Sequence, residues 1–428
     1  MTKRVVITGL GVVSPNGLGL NEFMQALKTN KSGLKFQPKM KEYNCRCQVG
    51  GSVEIAQEII DQLIPTSHQK RMSEAMIFAL IAALECAKDS KLNFNAYSED
   101  ESEAPHWDIG CIIGSTNNGT DILMTDAGPK ILSGETKKLG ISIVEKTMTS
   151  GVSAKIAGVL GLGNKVSTNS AACSTGAEAI LDAYHHIKAG RARAMFAGAS
   201  EGGAPYQWCG FDAMRIINSK FNDCPEKASR PFSESSSSFI PGCGAGVLLL
   251  EDYDSAVKRG AKIYAEVLGG FANCGGQRLG GSMTAPNSTA VIRCIQGALQ
   301  EANIEANQID YINGHLTGTF GDPIELKNWA AALNLTPQTF PYINGTKGLI
   351  GHGLSASGAI ETIATVIQMQ ESFIHASVNS EDLYPELSEY REKIPQQTIS
   401  KKIHYAAKAS FGFGDVNCVL ILKNMRNE

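Results

Sequence analysis

The sequence predicts an α/β protein made of two similar halves, and three observations carry that prediction. Short apolar runs of strand length alternate with longer segments of helical periodicity, which implies buried sheets covered by helices. Ser174-Thr175-Gly176-Ala177 is echoed by Ala356-Ser357-Gly358-Ala359, each on a helix that follows a strand. A glycine-rich loop precedes Val247-Leu248-Leu249-Leu250 in one half and Val419-Leu420-Ile421-Leu422 in the other. The echoes fall in the same order. They place the join near residue 255, with an N-terminal half of residues 1–254 and a C-terminal half of residues 255–428.

Taken in order, Arg4 to Thr8 is a strand that ends at Gly9-Leu10-Gly11. The third glycine of a dinucleotide fingerprint is missing there, so no nucleotide site is predicted. Asn21–Lys28 and Ile55–Leu63 read as helices, and Ser73–Lys88 as a helix apolar on most faces and therefore buried. Asn93–His106 is an acidic, exposed loop and Ile109–Gly114 a buried strand. Ile143–Leu160 reads as one helix with its approach, stopped by Gly161. Val166 to Thr168 ends a strand, and Ala194–Ala199 is another. Ser233–Ser238 is a polar loop, and Gly242–Gly246 leads into the strand Val247–Leu250. The second half has strands at Ile263–Leu268 and Ile309–Asn313 and helices at Ala290–Ala302 and Pro323–Leu333. Gly348–His352 opens a helix over Ala356–Gln370, and Gly412–Asp415 leads into the final strand.

Composition narrows the function. Of 428 residues 43% are hydrophobic, enough for a large core, and the net charge of -3 gives no reason to expect nucleic acid or a membrane surface as partner. Eleven cysteines stand singly apart from Cys45 and Cys47, with no CxxC pair, so no metal is expected and a reducing compartment fits. The N-terminus enters a strand without a signal-peptide pattern, and no apolar run reaches the length of a membrane span. A cytoplasmic protein is the expectation.

One cysteine stands apart. Asn169-Ser170-Ala171-Ala172-Cys173-Ser174-Thr175-Gly176 crowds small residues around Cys173 where a strand turns into a helix. Unpaired N–H groups and the positive end of the helix dipole favour a thiolate there, and small neighbours let a substrate approach. A buried, inert cysteine is the competing reading. His315, in Asn313-Gly314-His315-Leu316-Thr317-Gly318-Thr319, and His352, in Lys347-Gly348-Leu349-Ile350-Gly351-His352-Gly353, both sit in glycine-containing loops. One cysteine with two such histidines fits thioester chemistry: the cysteine is acylated and the histidines hydrogen-bond a developing enolate.

From Lys3-Arg4-Val5-Val6-Ile7-Thr8-Gly9 through the cysteine elbow, Ser229-Arg230-Pro231-Phe232, both histidine loops and Phe411-Gly412-Phe413-Gly414, the chain resembles the elongating β-ketoacyl-acyl-carrier-protein synthases. The resemblance implies the thiolase fold, five layers in the order αβαβα. It implies decarboxylative condensation of an acyl-cysteine with malonyl-carrier protein, lengthening a fatty-acid or polyketide chain by two carbons without metal or organic cofactor. It makes Cys173 the acyl acceptor and His315 and His352 the active-site histidines. Lys347 matches the family lysine with Glu361 as its charge partner, and Glu361 is counted with Thr317 and Thr319 among the substrate-contacting positions. Phe413 matches the gating phenylalanine, and the Cys173 and Phe413 N–H groups would form an oxyanion hole. Lys70, Arg71, Lys130 and Arg215 align with basic residues that dock the acidic acyl carrier protein. A homodimer or a heterodimer with a related subunit is implied, formed through the strand around Lys165 to Thr168.

Departures from the family pattern are also visible. Leu316 and Asp415 stand where glycine is usual, the Thr319–Asp322 loop is one residue short, and Cys243, Ser236 and Ser238 replace an acidic residue, an arginine and a glycine. Leu316 is expected to add bulk along the substrate path, and Asp415 to restrict a loop that must swing to admit substrate and to place a charge near an apolar gate; with the shortened Thr319–Asp322 loop these would mark a specialised synthase of narrower preference. The residues replaced by Ser236 and Cys243 are expected to interact in relatives. A thiolase would need a second cysteine where Phe413 stands. The alternative from another class is a non-catalytic, chain-length-factor-like partner, which typically lacks the nucleophile that this chain keeps.

Overall fold

The computed structural model describes residues 3–426. In the first half, β1 (Val5–Ser14), β2 (Ile109–Gly114), β3 (Val166–Ser167), β4 (Ala194–Glu201) and β5 (Gly244–Asp252) lie side by side in the order β3-β2-β4-β5-β1. In the second, β6 (Ala265–Cys274), β7 (Tyr311–Asn313), β8 (Tyr342–Asn344), β9 (Tyr405–Gly412) and β10 (Val416–Asn424) lie in the order β8-β7-β9-β10-β6. The two orders are the same permutation. Within each half the first three neighbours are parallel and the last two pairings antiparallel. β1 and β6 then pair antiparallel, Val5 opposite Val267, and join the halves edge to edge.

Helices fill three layers around these strands. α1 (Glu74–Ser90) and α2 (Gly151–Leu160) cover the outer face of the first half. α3 (Thr175–Lys188) packs on strands of both halves, and α4 (Tyr206–Ala213) lies near the end of β4. α5 (Ser288–Ala302) and α6 (Gly321–Leu333) cover the outer face of the second half, while α7 (Ser357–Glu371) lies with α3 between the sheets. This is the expected αβαβα layering. No helix among the described residues is long and apolar enough to cross a membrane.

Close packing explains where elements differ from expectation. β1 does not end at Gly9; it runs on to Ser14. A Cβ at Gly11 would sit 1.9 Å from the Ala82 carbonyl oxygen, so the glycines let α1 press onto the strand. Two carboxylates of α1 then serve the strand: Asp89 accepts from the Leu10 N–H and Glu85 from the Val12 N–H. The single helix expected over Ile143–Leu160 is two, Ile143–Thr147 and Gly151–Leu160. Met148 is extended between them, and Gly151 comes back onto the Glu145 carbonyl, leaving 2.6 Å for a Cβ. The sequence reading missed β8, β9, α4 and the helical run over residues 120–132.

The central pair α3 and α7 is made by the small-residue echo. Each helix is preceded by one 3-10 turn, Ala172–Ser174 and Leu354–Ala356, whose first residue has a left-handed backbone (φ 47 at Ala172, 52 at Leu354). A Cβ at Gly176 would lie 2.7 Å from the Ala359 nitrogen, and one at Gly358 would lie 2.5 Å from the Ala177 nitrogen. The helices therefore cross backbone to backbone at reciprocal glycines. Gly176→Ala should cost about 1–3 kcal/mol through overpacking against main chain that cannot yield, measured as a lowered urea midpoint with an unchanged slope.

Candidate active site

Cys173 is the middle residue of the turn before α3, so its sulfur projects at the N-terminal end of that helix and toward the second half. Hydrogen bonds fix the elbow: the Ala171 N–H donates to Thr175 Oγ1 at 2.7 Å, and Ser174 Oγ donates to Glu178 at 2.7 Å. The His315 and His352 loops converge on it. One side-chain ligand atom from each of Cys173, His315 and His352 lies within 4.8 Å of the other two, and all three residues are buried.

Each histidine is held by main chain. His352 donates its N–H to the Ile240 carbonyl at 2.7 Å, and its own carbonyl accepts from the Gly242 N–H at 2.7 Å. The Leu354 N–H points at His352 Nδ1 from 3.1 Å, and the Ser357 hydroxyl lies 3.0 Å away. Nδ1 is therefore an acceptor, and the ring proton sits on Nε2. His315 follows β7 through Gly314, and its loop is gripped by two carboxylates of α6. Glu325 accepts from the His315 and Leu316 N–H groups, and Asp322 from those of Thr317, Gly318 and Phe232. His315 Nδ1 is buried without a hydrogen-bond partner among the described residues. The two imidazole rings meet edge to face, centroids 5.2 Å apart.

Burial sets the protonation states. It drives both histidines well below the usual imidazole range, helped by the nearby Lys347 ammonium, so both rings are neutral at pH 7. Burial also pushes the Cys173 thiol up to about 11, against the downward pull of a hydrogen bond from the Phe413 N–H and of the Lys347 charge. The thiolate expected from the helix terminus alone is thus outweighed while the site is closed and dry.

Behind the histidines lies a buried charge cluster. Lys347 Nζ donates to the His315 carbonyl at 2.6 Å and to Glu361 Oε1 at 2.6 Å. Lys408 lies 2.8 Å from the other carboxylate oxygen, and all three side chains are essentially unexposed. Glu361 is therefore corrected from a substrate contact to the counter-ion of two lysines, sealed away from any ligand surface. The sequence reading missed Lys408; its signal was a lone lysine in the apolar run Ala406-Ala407-Lys408-Ala409. Asp322, Glu325 and Ser357 were also missed.

The remaining expected residues fall in three places. Phe413 is half-buried over the site with its ring 6.4 Å from that of Phe211. Thr317 and Thr319 are half-buried neighbours, their hydroxyls 2.9 Å apart, and Thr319 also accepts from the Gly321 N–H in the tight turn into α6. Lys70, Arg71 and Arg215 are exposed, with Arg71 4.0 Å from Glu145. Lys130 is half-buried and paired with Asp126 one turn back, so its charge is already answered.

Two departures prove to be structural. The Leu316 side chain has no exposure and packs with Phe232, Ile312, Leu326 and Trp329 in the core of the second half, over Gly314 and Gly345. It adds nothing to the substrate path, because its backbone (φ 25) turns the side chain inward. The Asp415 carboxylate is likewise buried in hydrogen bonds to residues 277 and 287 rather than set beside the Phe413 ring. Ser236 donates to the Gly318 carbonyl and Cys243 to the Gly51 carbonyl, so the two face different neighbours.

Neutralising the counter-ion gives a direct test. Glu361→Gln should leave two buried ammonium groups without their shared counter-ion and cost about 3–5 kcal/mol, read as a fall in the denaturation midpoint.

Comparisons with known proteins agree with this geometry. Residues 2–256 match the family described as Beta-ketoacyl synthase, N-terminal domain, and residues 264–381 match its C-terminal domain. The chain is 32% identical to 3-oxoacyl-[acyl-carrier-protein] synthase 1 of Escherichia coli (strain K12), over 99% of this chain and 100% of that one. Among solved structures it is similar to a beta-ketoacyl synthase from Burkholderia phymatum (27% identity, TM-score 0.88, 99% of this chain and 100% of that one). It is also similar to a chain from a type II PKS acyl-carrier protein in complex with its ketosynthase (28% identity, TM-score 0.86, the same coverage). The matched span, the whole-length identity and the Cys–His–His cluster lead to one conclusion: this chain belongs to the beta-ketoacyl synthase family.

Proposed function

We propose that this chain catalyses decarboxylative Claisen condensation, lengthening a carrier-bound fatty-acid or polyketide chain by two carbons. The observation that carries the reading is a single thiol within 4.8 Å of two neutral imidazoles. In the first half-reaction Cys173 Sγ attacks the acyl thioester carbonyl. The thiol proton passes to the departing pantetheine sulfur, with His315, whose Nδ1 is unpartnered, as the nearby base. In the second, the C–C bond to the carboxylate of a malonyl thioester breaks, carbon dioxide leaves, and the electron pair becomes an enolate. The Nε2–H of His352 is fixed by its Nδ1 contacts and donates to the enolate oxygen, together with a donor from His315. The enolate carbon attacks the acyl-cysteine carbonyl, whose oxygen faces the Phe413 N–H, and collapse releases the Cys173 sulfur. Lys347 holds the His315 carbonyl and so sets that loop, as a positioning residue.

The substrates arrive on an acyl carrier protein. One structural relative is seen with its acyl-carrier protein bound, and the curated relative is named for that partner. Exposed Lys70, Arg71 and Arg215 are the basic residues proposed to meet its acidic surface. Two copies, or this chain and a related subunit, are proposed to pair across the open edge strand β3. The same half exposes Leu123, Met124, Ile131, Leu132, Ile141 and Val144, apolar side chains that a partner surface would take out of water.

Three outcomes test this reading. Incubation with acyl-carrier protein should add one acyl group to Cys173 by mass spectrometry, and Cys173→Ala should lose that adduct and all condensation while keeping its melting temperature. Charge reversal at Lys70 and Arg71 should raise the KM for the carrier-linked substrate at low salt, with the difference shrinking as salt is added. Light scattering at micromolar concentration should give a dimer mass.

A further inference from the structure

Two cysteines outside the site lie sulfur to sulfur. Cys45 Sγ donates to Cys209 Sγ at 3.6 Å, and both are thiols. Cys45 is 7% exposed, while Cys209, on α4, is half-buried. Burial and the bond to Cys209 push the Cys45 thiol up to about 12, so it keeps its proton. Cys47, next but one in sequence, is engaged elsewhere: its sulfur lies 3.4 Å from the Val49 carbonyl.

The segments that carry the two sulfurs are fastened to each other. The Asp212 carboxylate of α4 accepts from the Arg46 N–H at 3.1 Å and from the Cys47 N–H at 2.9 Å, and the Arg46 guanidinium donates to the Asp212 carbonyl at 2.7 Å. Asn222 accepts from the Gln48 N–H at 2.8 Å and donates to the Arg46 carbonyl at 2.9 Å. Trp208 lies against Gly50, where a Cβ would come 2.2 Å from its ring. The sulfurs are thus held in register, and a reaction between them has the advantage of an intramolecular encounter. Cys173 is shielded by contrast: it is 9% exposed, and burial raises its thiol to about 11. Oxidation of a thiol follows its exposure and its thiolate character.

We propose that Cys45 and Cys209 form a modification site that takes the oxidising equivalents of a peroxide as a reversible disulfide, ahead of Cys173. Peroxide attack at the half-buried Cys209 sulfur forms an S–O bond as the O–O bond breaks, and the Cys209 proton leaves with hydroxide as water. The Cys45 sulfur then attacks the Cys209 sulfur. The S–S bond forms as the S–O bond breaks, and hydroxide leaves with the Cys45 proton as a second water. The two thiols together lose two electrons and the peroxide oxygens gain them. In a reducing compartment the pair rests as thiols, and a dithiol reductant returns it to that state.

The test is a peptide map of the folded, reduced protein treated with hydrogen peroxide, unfolded in N-ethylmaleimide and digested with trypsin without reductant. Cleavage after Lys41 and Arg46 isolates Cys45 in peptide 42–46 and separates it from Cys47, and peptide 194–215 holds Cys209 as its one cysteine. These two peptides should appear joined, less two hydrogen atoms, and dithiothreitol should release them. The joined form should accumulate about tenfold faster than Cys173 loses its maleimide label. In Cys45→Ser the reaction should stop at a Cys209 sulfenic acid trapped by dimedone, and Cys47→Ser should leave the joined peptides unchanged. Loss of the Cys173 label before the pair joins overturns the proposal. So does Cys45 joined to Cys47 or to exposed Cys224 instead of Cys209, or joined peptides that form only in urea. Should a variant fail to fold, the wild-type map alone decides. The map needs no turnover, so absence of an acyl adduct on Cys173 would count against the condensing reading and leave this result intact.

Discussion

The contact between Gly176 and Gly358 is the constraint on which the rest of the molecule depends. Cys173 belongs to the first half, while His315 and His352 belong to the second, so the site exists only if the halves meet at a fixed distance. Two central helices that touch through side chains would stand 8–10 Å apart. Here each helix presents a glycine to the other's backbone, and the preceding turns are carried in with them. The duplicated small-residue motif is therefore a spacing device. One copy carries Cys173, and the other carries the turn whose Leu354 N–H orients His352.

Electrostatics follow from that closeness. A dry junction between two sheets penalises charge, and the groups gathered there respond by staying neutral, the thiol protonated and both imidazoles uncharged. Full charges are held one shell further back, where Glu361 answers Lys347 and Lys408. That arrangement keeps a positive field near a site in which negative charge develops on an enolate or a tetrahedral oxygen, without a permanent ion in the reaction space. The cost of the cluster is that its three members cannot be removed singly.

At the same junction strand and helix backbones are locked by the crossing, whereas the connections at the ends of β6 and β9 lie outside it. Those connections hold left-handed residues and glycines, and their fastening is a handful of hydrogen bonds rather than packed apolar surface.

The sequence by itself determined the alternation of elements, the two-half plan and the candidate trio Cys173, His315 and His352, because periodicity, small-residue echoes and glycine-flanked histidines are local signals. The family resemblance paired Lys347 with Glu361, a partner that matters only because Lys347 is buried. Only the tertiary structure decided what depended on long-range contact. Gly9 and Gly11 read as a strand end until α1 is seen pressing on them, and Ile143–Leu160 reads as one helix until Gly151 is seen folded back on Glu145. Leu316 and Asp415 read as changes to the substrate path. A residue's type and neighbours in sequence do not say which way a left-handed backbone turns its side chain, and at both positions it turned inward. The second lysine on Glu361, the neutral state of the histidines and the raised thiol pKa share one physical reason. Burial is a property of the assembled layers, and no single segment carries it.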